Sequence, residues 1–122
     1  MKAGSDISTS DAAARATPSL SVVLVGYHGL SSILRGLGCL RRQSIRDEIE
    51  LVLIVPNRDE LLAGVDAVRE EFHSLQVIED RQIVNVDAAA AHGLRVARAP
   101  IIAVPEDHAY PSPKWAAEVL QA

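Results

Sequence analysis

Residues 20–56 read L-S-V-V-L-V-G-Y-H-G-L-S-S-I-L-R-G-L-G-C-L-R-R-Q-S-I-R-D-E-I-E-L-V-L-I-V-P, and the organisation of this stretch decides the fold. It opens on one nearly unbroken apolar run, residues 20–25, and closes on a second, residues 50–55, stopped by Pro56. Short apolar runs without polar alternation predict strands buried on both faces, as in a parallel sheet. Gly26 and Gly29 bracket Tyr27 and His28 in the turn after the first run. Ser31 or Ser32 can then cap a helix whose apolar positions Ile33, Leu34, Leu37 and Leu40 follow helical spacing, stopping near residues 43–46.

The remainder repeats the alternation. Asn57 and Glu60 have capping-box spacing, with Asn in place of Ser or Thr. They open a helix with Leu61, Leu62, Val65, Val68 and Phe72 on one side and a helically spaced Asp66–Arg69 pair. Residues 75–78 form a weaker third strand. Residues 84–98 are an Ala-rich helix whose basic end, Arg95 and Arg98, complements the helix dipole. Pro100 ends it, residues 101–104 form the fourth strand, and Pro113, capped by Ser112, starts a last helix containing Trp115. Strand and helix in strict alternation predict an α/β fold: an open, mostly parallel sheet with flanking helices, Rossmann-like in kind. Residues 1–19, rich in Ala, Ser, Thr and Asp, are expected to be a disordered tail, and residues 20–122 a single α/β domain.

The chain has 122 residues, enough for one domain with a real core. Acidic residues outnumber basic ones, 16 to 12, and ten of the twelve are scattered arginines, so no nucleic-acid or anionic-membrane footprint is present. No apolar run is long enough to span a bilayer, and the N-terminus has no signal-peptide core, so a cytoplasmic location is expected. The single cysteine, Cys39, excludes an internal disulfide and a thiolate cluster. It sits on the apolar side of a helix with no basic partner in sequence, which points to inert packing. Apolar Val and Leu near the ends of an open sheet leave pairing with a second copy as an open expectation.

The chemistry concentrates in residues 100–115, P-I-I-A-V-P-E-D-H-A-Y-P-S-P-K-W. Glu106, Asp107 and His108 follow the fourth strand, where open α/β sheets bind ligands, and offer oxygen and nitrogen donors suited to a divalent metal. Gly26 and Gly29 form neither a dinucleotide fingerprint nor a phosphate loop. His73 and His92 read as surface or helix-end residues, and Trp115 as core.

In order and spacing these elements resemble the N-terminal half of the inverting family 2 glycosyltransferases, the nucleotide-sugar enzymes of the GT-A type. The first strand with Tyr27 and His28 resembles the family's strand and its Thr-Tyr-Asn turn, with His28 at the Asn. Leu37, Cys39, Leu40 and Gln43 match the first helix, whose last signature residue is Gln. Residues 50–55 match the second strand, and Gly93, Leu94, Ala97 and Arg98 the helix before the metal-binding strand. Asp107 falls at the second aspartate of the family's Asp-X-Asp motif, and Trp115 at a familiar helix position after Pro113. The resemblance covers residues 20–122 and implies a GT-A half domain that binds a nucleotide-diphospho-sugar. It implies a Mn²⁺ or Mg²⁺ ion held by Asp107 with His108, and donor contacts from Tyr27, His28, Glu106 and Asp107. Arg81 could approach a phosphate from the third strand's end; an exposed salt bridge is its other fate.

The departures bear on activity. Val55 and Pro56 stand where the family has two aspartates that hold the base and ribose side of the nucleotide. Ala90 and Ala91 stand at its Arg and Asn, and Pro105 at the first aspartate of Asp-X-Asp. No residue matches the catalytic base, so the chain alone is expected to be inactive and to need further residues or another chain for transfer to an acceptor of unknown identity. Two readings follow: a glycosyltransferase-like nucleotide-sugar domain, or a degenerate domain of the same fold kept for assembly or weak ligand binding. A response-regulator-like domain would want an acidic cluster after the first strand and an Asp after the third to be phosphorylated; neither pattern is met.

Overall fold

The computed structural model describes residues 17–26, 30–83, 85–105 and 112–121. Of the tail expected over residues 1–19, residues 1–16 lie outside them. In chain order the elements are β1 (Leu20–Val25), α1 (Leu30–Arg41), a 3-10 turn (Arg46–Glu48), β2 (Ile49–Val55), α2 (Arg58–Val65), a second 3-10 turn (Asp66–Glu71), β3 (Ser74–Glu79), α3 (Val86–Val96), β4 (Ile101–Ala103) and α4 (Trp115–Gln121). The strands form one parallel sheet in the order β3-β2-β1-β4, the open sheet expected from the alternation. Packing reaches slightly ahead of β1: Pro18 is buried, and Ser19 donates from its N–H to Glu48 O at 2.9 Å and from Oγ to Glu48 Oε1 at 2.8 Å.

The side-chain pleat divides the core in two. Leu20, Val22 and Leu24 of β1, with Leu51 and Leu53 of β2, face α1, α2 and the buried Ala116 of α4. Val23, Val25, Val52 and Ile54 point to the other face and meet α3 through Ala89 and Ala90. This division follows from right-handed crossovers. The steps β1 to β2 and β2 to β3 run in one direction and put α1 and α2 on one side. The step from β3 back past β1 to β4 runs the opposite way and puts α3 on the other. Every residue of β1 and β2 is buried, as their apolar runs require.

Several local expectations change: Ser31 and Ser32 lie inside α1, not ahead of it, and Arg98 falls beyond the end of α3. Leu34 is 40% exposed, because Ile33, Leu37 and Leu40 fill the buried stripe and Leu34 falls on its flank. The helix after β2 tightens into 3-10 geometry at Asp66, which still buries Leu61, Val65, Val68 and Phe72. The last helix starts at Trp115, two residues after Pro113, and Ser112 serves it through its carbonyl, which accepts from Trp115 N–H at 3.0 Å. The side-chain cap comes from Gln43, whose Oε1 accepts from Ala116 N–H at 2.9 Å. Among the described residues no helix is long and apolar enough to cross a membrane.

Candidate functional site

Strand order locates the candidate site. The chain leaves β1 toward β2 on one side and later returns to β4 on the other, so β1 and β4 are neighbours whose connections diverge. That divergence is the topological switch point, where open α/β sheets leave a crevice outside the carboxyl ends of the strands. The carboxyl end of β1 runs into Gly26 and that of β4 into Pro105. The Gly26 N–H still donates to Ile54 O at 2.8 Å, and a Cβ there would meet Ile33 Cγ1 at 3.1 Å, so Gly26 itself lies close against α1. Tyr27, His28, Glu106, Asp107 and His108 follow these strand ends and lie outside the described residues.

The same edge continues over β2 and β3. Val55 is buried and Pro56 exposed at the end of β2. Asn57 then caps α2, its Oδ1 accepting from Glu60 N–H at 3.2 Å as its spacing predicts. At the end of β3, Glu79 accepts from Arg58 N–H at 3.1 Å and from Arg81 Nε at 2.9 Å. The Arg58 backbone N–H, with the Arg81 and Arg58 charges, holds the Glu79 carboxyl below the usual glutamate range. Asp80 donates from its N–H to Val55 O at 2.8 Å, and its Oδ1 accepts from Gln82 N–H at 3.2 Å. Arg81 is thus placed at the carboxyl end of the sheet with its side chain 84% exposed, anchored by one ion pair through Nε. Of the two fates weighed for it, the exposed salt bridge is the one observed.

Among the described residues there is no cluster of three or more His, Cys, Asp or Glu side chains that could hold a metal. The proposed donors Asp107 and His108 are a carboxylate and an imidazole, types that suit Mn²⁺ or Mg²⁺ when substrate phosphates and water fill the rest of the shell. Ala90 is buried on α3, where it packs against the sheet; a long polar side chain at that position would collide with the face it now covers. Gly93, one turn further on, lies so close to the sheet that a Cβ would come to 2.5 Å from Val23 Cγ1.

Two polar clusters whose partners the sequence did not reveal hold the scaffold at the opposite, amino-terminal end. Glu50 in β2 is 0% exposed. Its Oε1 accepts from Ser21 Oγ at 2.7 Å and Arg98 N–H at 2.8 Å, and its Oε2 from Gln76 Nε2 at 2.8 Å and Arg98 Nε at 2.9 Å. Ser21 Oγ in turn accepts from Ala99 N–H at 3.1 Å. The turn that feeds β4 is therefore tied to three strands. Gln43, also buried, donates from Nε2 to Ser112 O at 2.6 Å while it caps α4. The available signal was a carboxylate or amide inside an apolar run, which must find partners when buried. A shallow depression of about 650 Å³ lined by Gln43, Ser44, Arg46, Asp47, Glu70 and Glu71 also lies beside the entry to β2, away from the strand carboxyl ends.

No protein-family model matches the sequence, and no curated protein matches it.

Proposed function

We propose that the domain binds a nucleotide-diphospho-sugar at the carboxyl ends of β1 and β4, as a divergent relative of the inverting family 2 glycosyltransferases. The observation that carries this reading is the placement of the switch point between β1 and β4. The segments with Tyr27 and His28, and with Glu106, Asp107 and His108, leave the sheet from these two neighbouring strands. Asp107 with His108 would hold the metal, Tyr27, His28 and Glu106 would line the donor, and Arg81 would reach the diphosphate from β3. A bound Mn²⁺ or Mg²⁺ would offset charge on the leaving diphosphate.

A second reading, binding without transfer, has its own support. Val55, Pro56 and Ala90 replace polar contact residues of the resembled family, and Val55 and Ala90 are now part of the core. Calorimetric titration of the chain with nucleoside diphosphates, with and without Mn²⁺, tests the binding reading. Saturable, metal-dependent binding is expected, lost in Asp107→Ala and weakened about tenfold in Arg81→Ala, the cost of one charge-assisted hydrogen bond. Absence of binding to every nucleotide would refute the proposal. Weak binding that does not depend on Mn²⁺ and survives in Asp107→Ala would favour the second reading.

A further inference from the structure

The two edges of the sheet are finished differently. In a parallel strand, main-chain N–H and C=O groups point alternately to one side and the other. Gly26 N–H on Ile54 O and Asp80 N–H on Val55 O, both at 2.8 Å, turn the even-numbered residues of β1 and β3 toward β2. Leu75 and Val77 therefore present their carbonyls at the free edge of β3, and both are occupied. Arg69 Nη1 donates to Leu75 O and Arg58 Nη1 to Val77 O, each at 3.2 Å. Arginines laid along an edge strand block a further strand from adding there.

The edge of β4 has the opposite character. With Ser21 in register with Ile102, the odd-numbered residues of β4 face β1, so the outward groups are those of Ile102 and Val104. Between Ala99 and Pro105 there is no charged side chain. The nearest arginine in sequence, Arg98, is turned to Glu50 and Ser74 instead. Ile101 and Val104 are 39% and 42% exposed, so apolar side chains accompany the open backbone.

We propose that two copies of this chain associate through β4, which pairs with itself antiparallel about a two-fold axis at Ala103. In that register Ile102 of one copy exchanges both main-chain hydrogen bonds with Val104 of the other, and the reverse. Pro100 and Pro105, which have no N–H, bound the paired stretch. A second copy is the occupant selected by charge. A two-fold axis brings the same short segment of both copies together, so a strand that pairs with itself must avoid like charges across the seam. β4 meets that condition, whereas β3 carries Glu79 and its two capping arginines. The short seam places the pair among small, reversible interfaces.

Sedimentation equilibrium of the full chain, from roughly 10 μM to 1 mM where such interfaces dissociate, tests this independently of nucleotide binding. The weight-average mass is expected to rise from 13.1 kDa toward twice that value. Val104→Lys alters an exposed side chain, should leave the circular dichroism spectrum unchanged, and is expected to abolish the rise. With oxidised glutathione added as the two-electron oxidant, Ala103→Cys should form a dimer linked at that position, because a non-hydrogen-bonded antiparallel pair sets its Cα atoms about 4.5 Å apart, within disulfide reach. A single-chain mass at every concentration would overturn the proposal. So would association that survives in Val104→Lys, or an Ala103→Cys variant that associates without linking.

Discussion

At Glu50, burial and hydrogen bonding act in opposite directions on one carboxyl. Removal from water favours the neutral form and is the largest influence, but the bonds from Ser21, from the Arg98 backbone and guanidinium, and from Gln76 together outweigh it, and the pKa lies below its ordinary 4.5. A carboxyl whose pKa is lower folded than unfolded stabilises the fold above the unfolded value and loses that contribution as pH falls through the folded one. Urea midpoints should therefore hold steady above pH ~5 and fall below about 4.5. Half-buried Glu71 and exposed Glu79, whose pKa values are also lowered by arginine contacts, contribute to the same acid loss. Glu50→Gln separates the contributions. It turns an amide N–H₂ toward a donor, should cost about 2 kcal/mol at neutral pH, and should flatten the acid limb of the curve. An unchanged acid limb in that variant would place the titration elsewhere.

At the scale of elements, two contacts decide how helices sit. Gly93 lets α3 lie directly on β1 and β2: a methyl there would press on Val23 Cγ1 and come within 3.0 Å of Ile54 Cδ1. Val23 is buried and β-branched, so it has little room to yield. On an exposed helix Gly→Ala gains about 1 kcal/mol, but here overpacking of about 1–3 kcal/mol opposes it. Gly93→Ala is expected to lower the thermal midpoint, and a raised midpoint would show that α3 can lift off the sheet at no cost. Gln43 joins elements far apart in sequence, the end of α1 and the start of α4, with Ser44 N–H adding a bond to Pro113 O at 3.0 Å. Gln43→Ala removes the α4 cap and leaves Ser112 O without its amide donor, a loss of roughly 1–3 kcal/mol. Hydrogen exchange should accelerate selectively in α4 while β1 and β2 stay protected. Uniform acceleration would mean that α4 unfolds only with the whole domain.

For the whole molecule, the separation between what was legible and what was not follows the range of the interactions. Residues 20–25 and 50–55 announced buried strands because burial on both faces demands apolar side chains at every position but a few. Alternation with helical spacing then implied the open parallel sheet, and Asn57 and the Asp66–Arg69 pair, at 3.6 Å, were readable because their partners are three residues away. Arg81 was legible as a cation near the end of β3 on the same local ground. The partners of Glu50 and Gln43 were not, since a lone carboxylate or amide in a run does not say which distant segment will satisfy it. Nor could spacing alone show that Pro113 would precede the last helix by two residues, because its cap is supplied from Gln43. By itself the sequence determined the element types and their order, through local propensity and the need of each apolar face for cover. Only the tertiary structure decided that β1 and β4 are neighbours, that arginines close one sheet edge and leave the other neutral, and that Ser21, Glu50, Gln76 and Arg98 meet. Those outcomes depend on strand order and register, which bring together residues far apart in the chain.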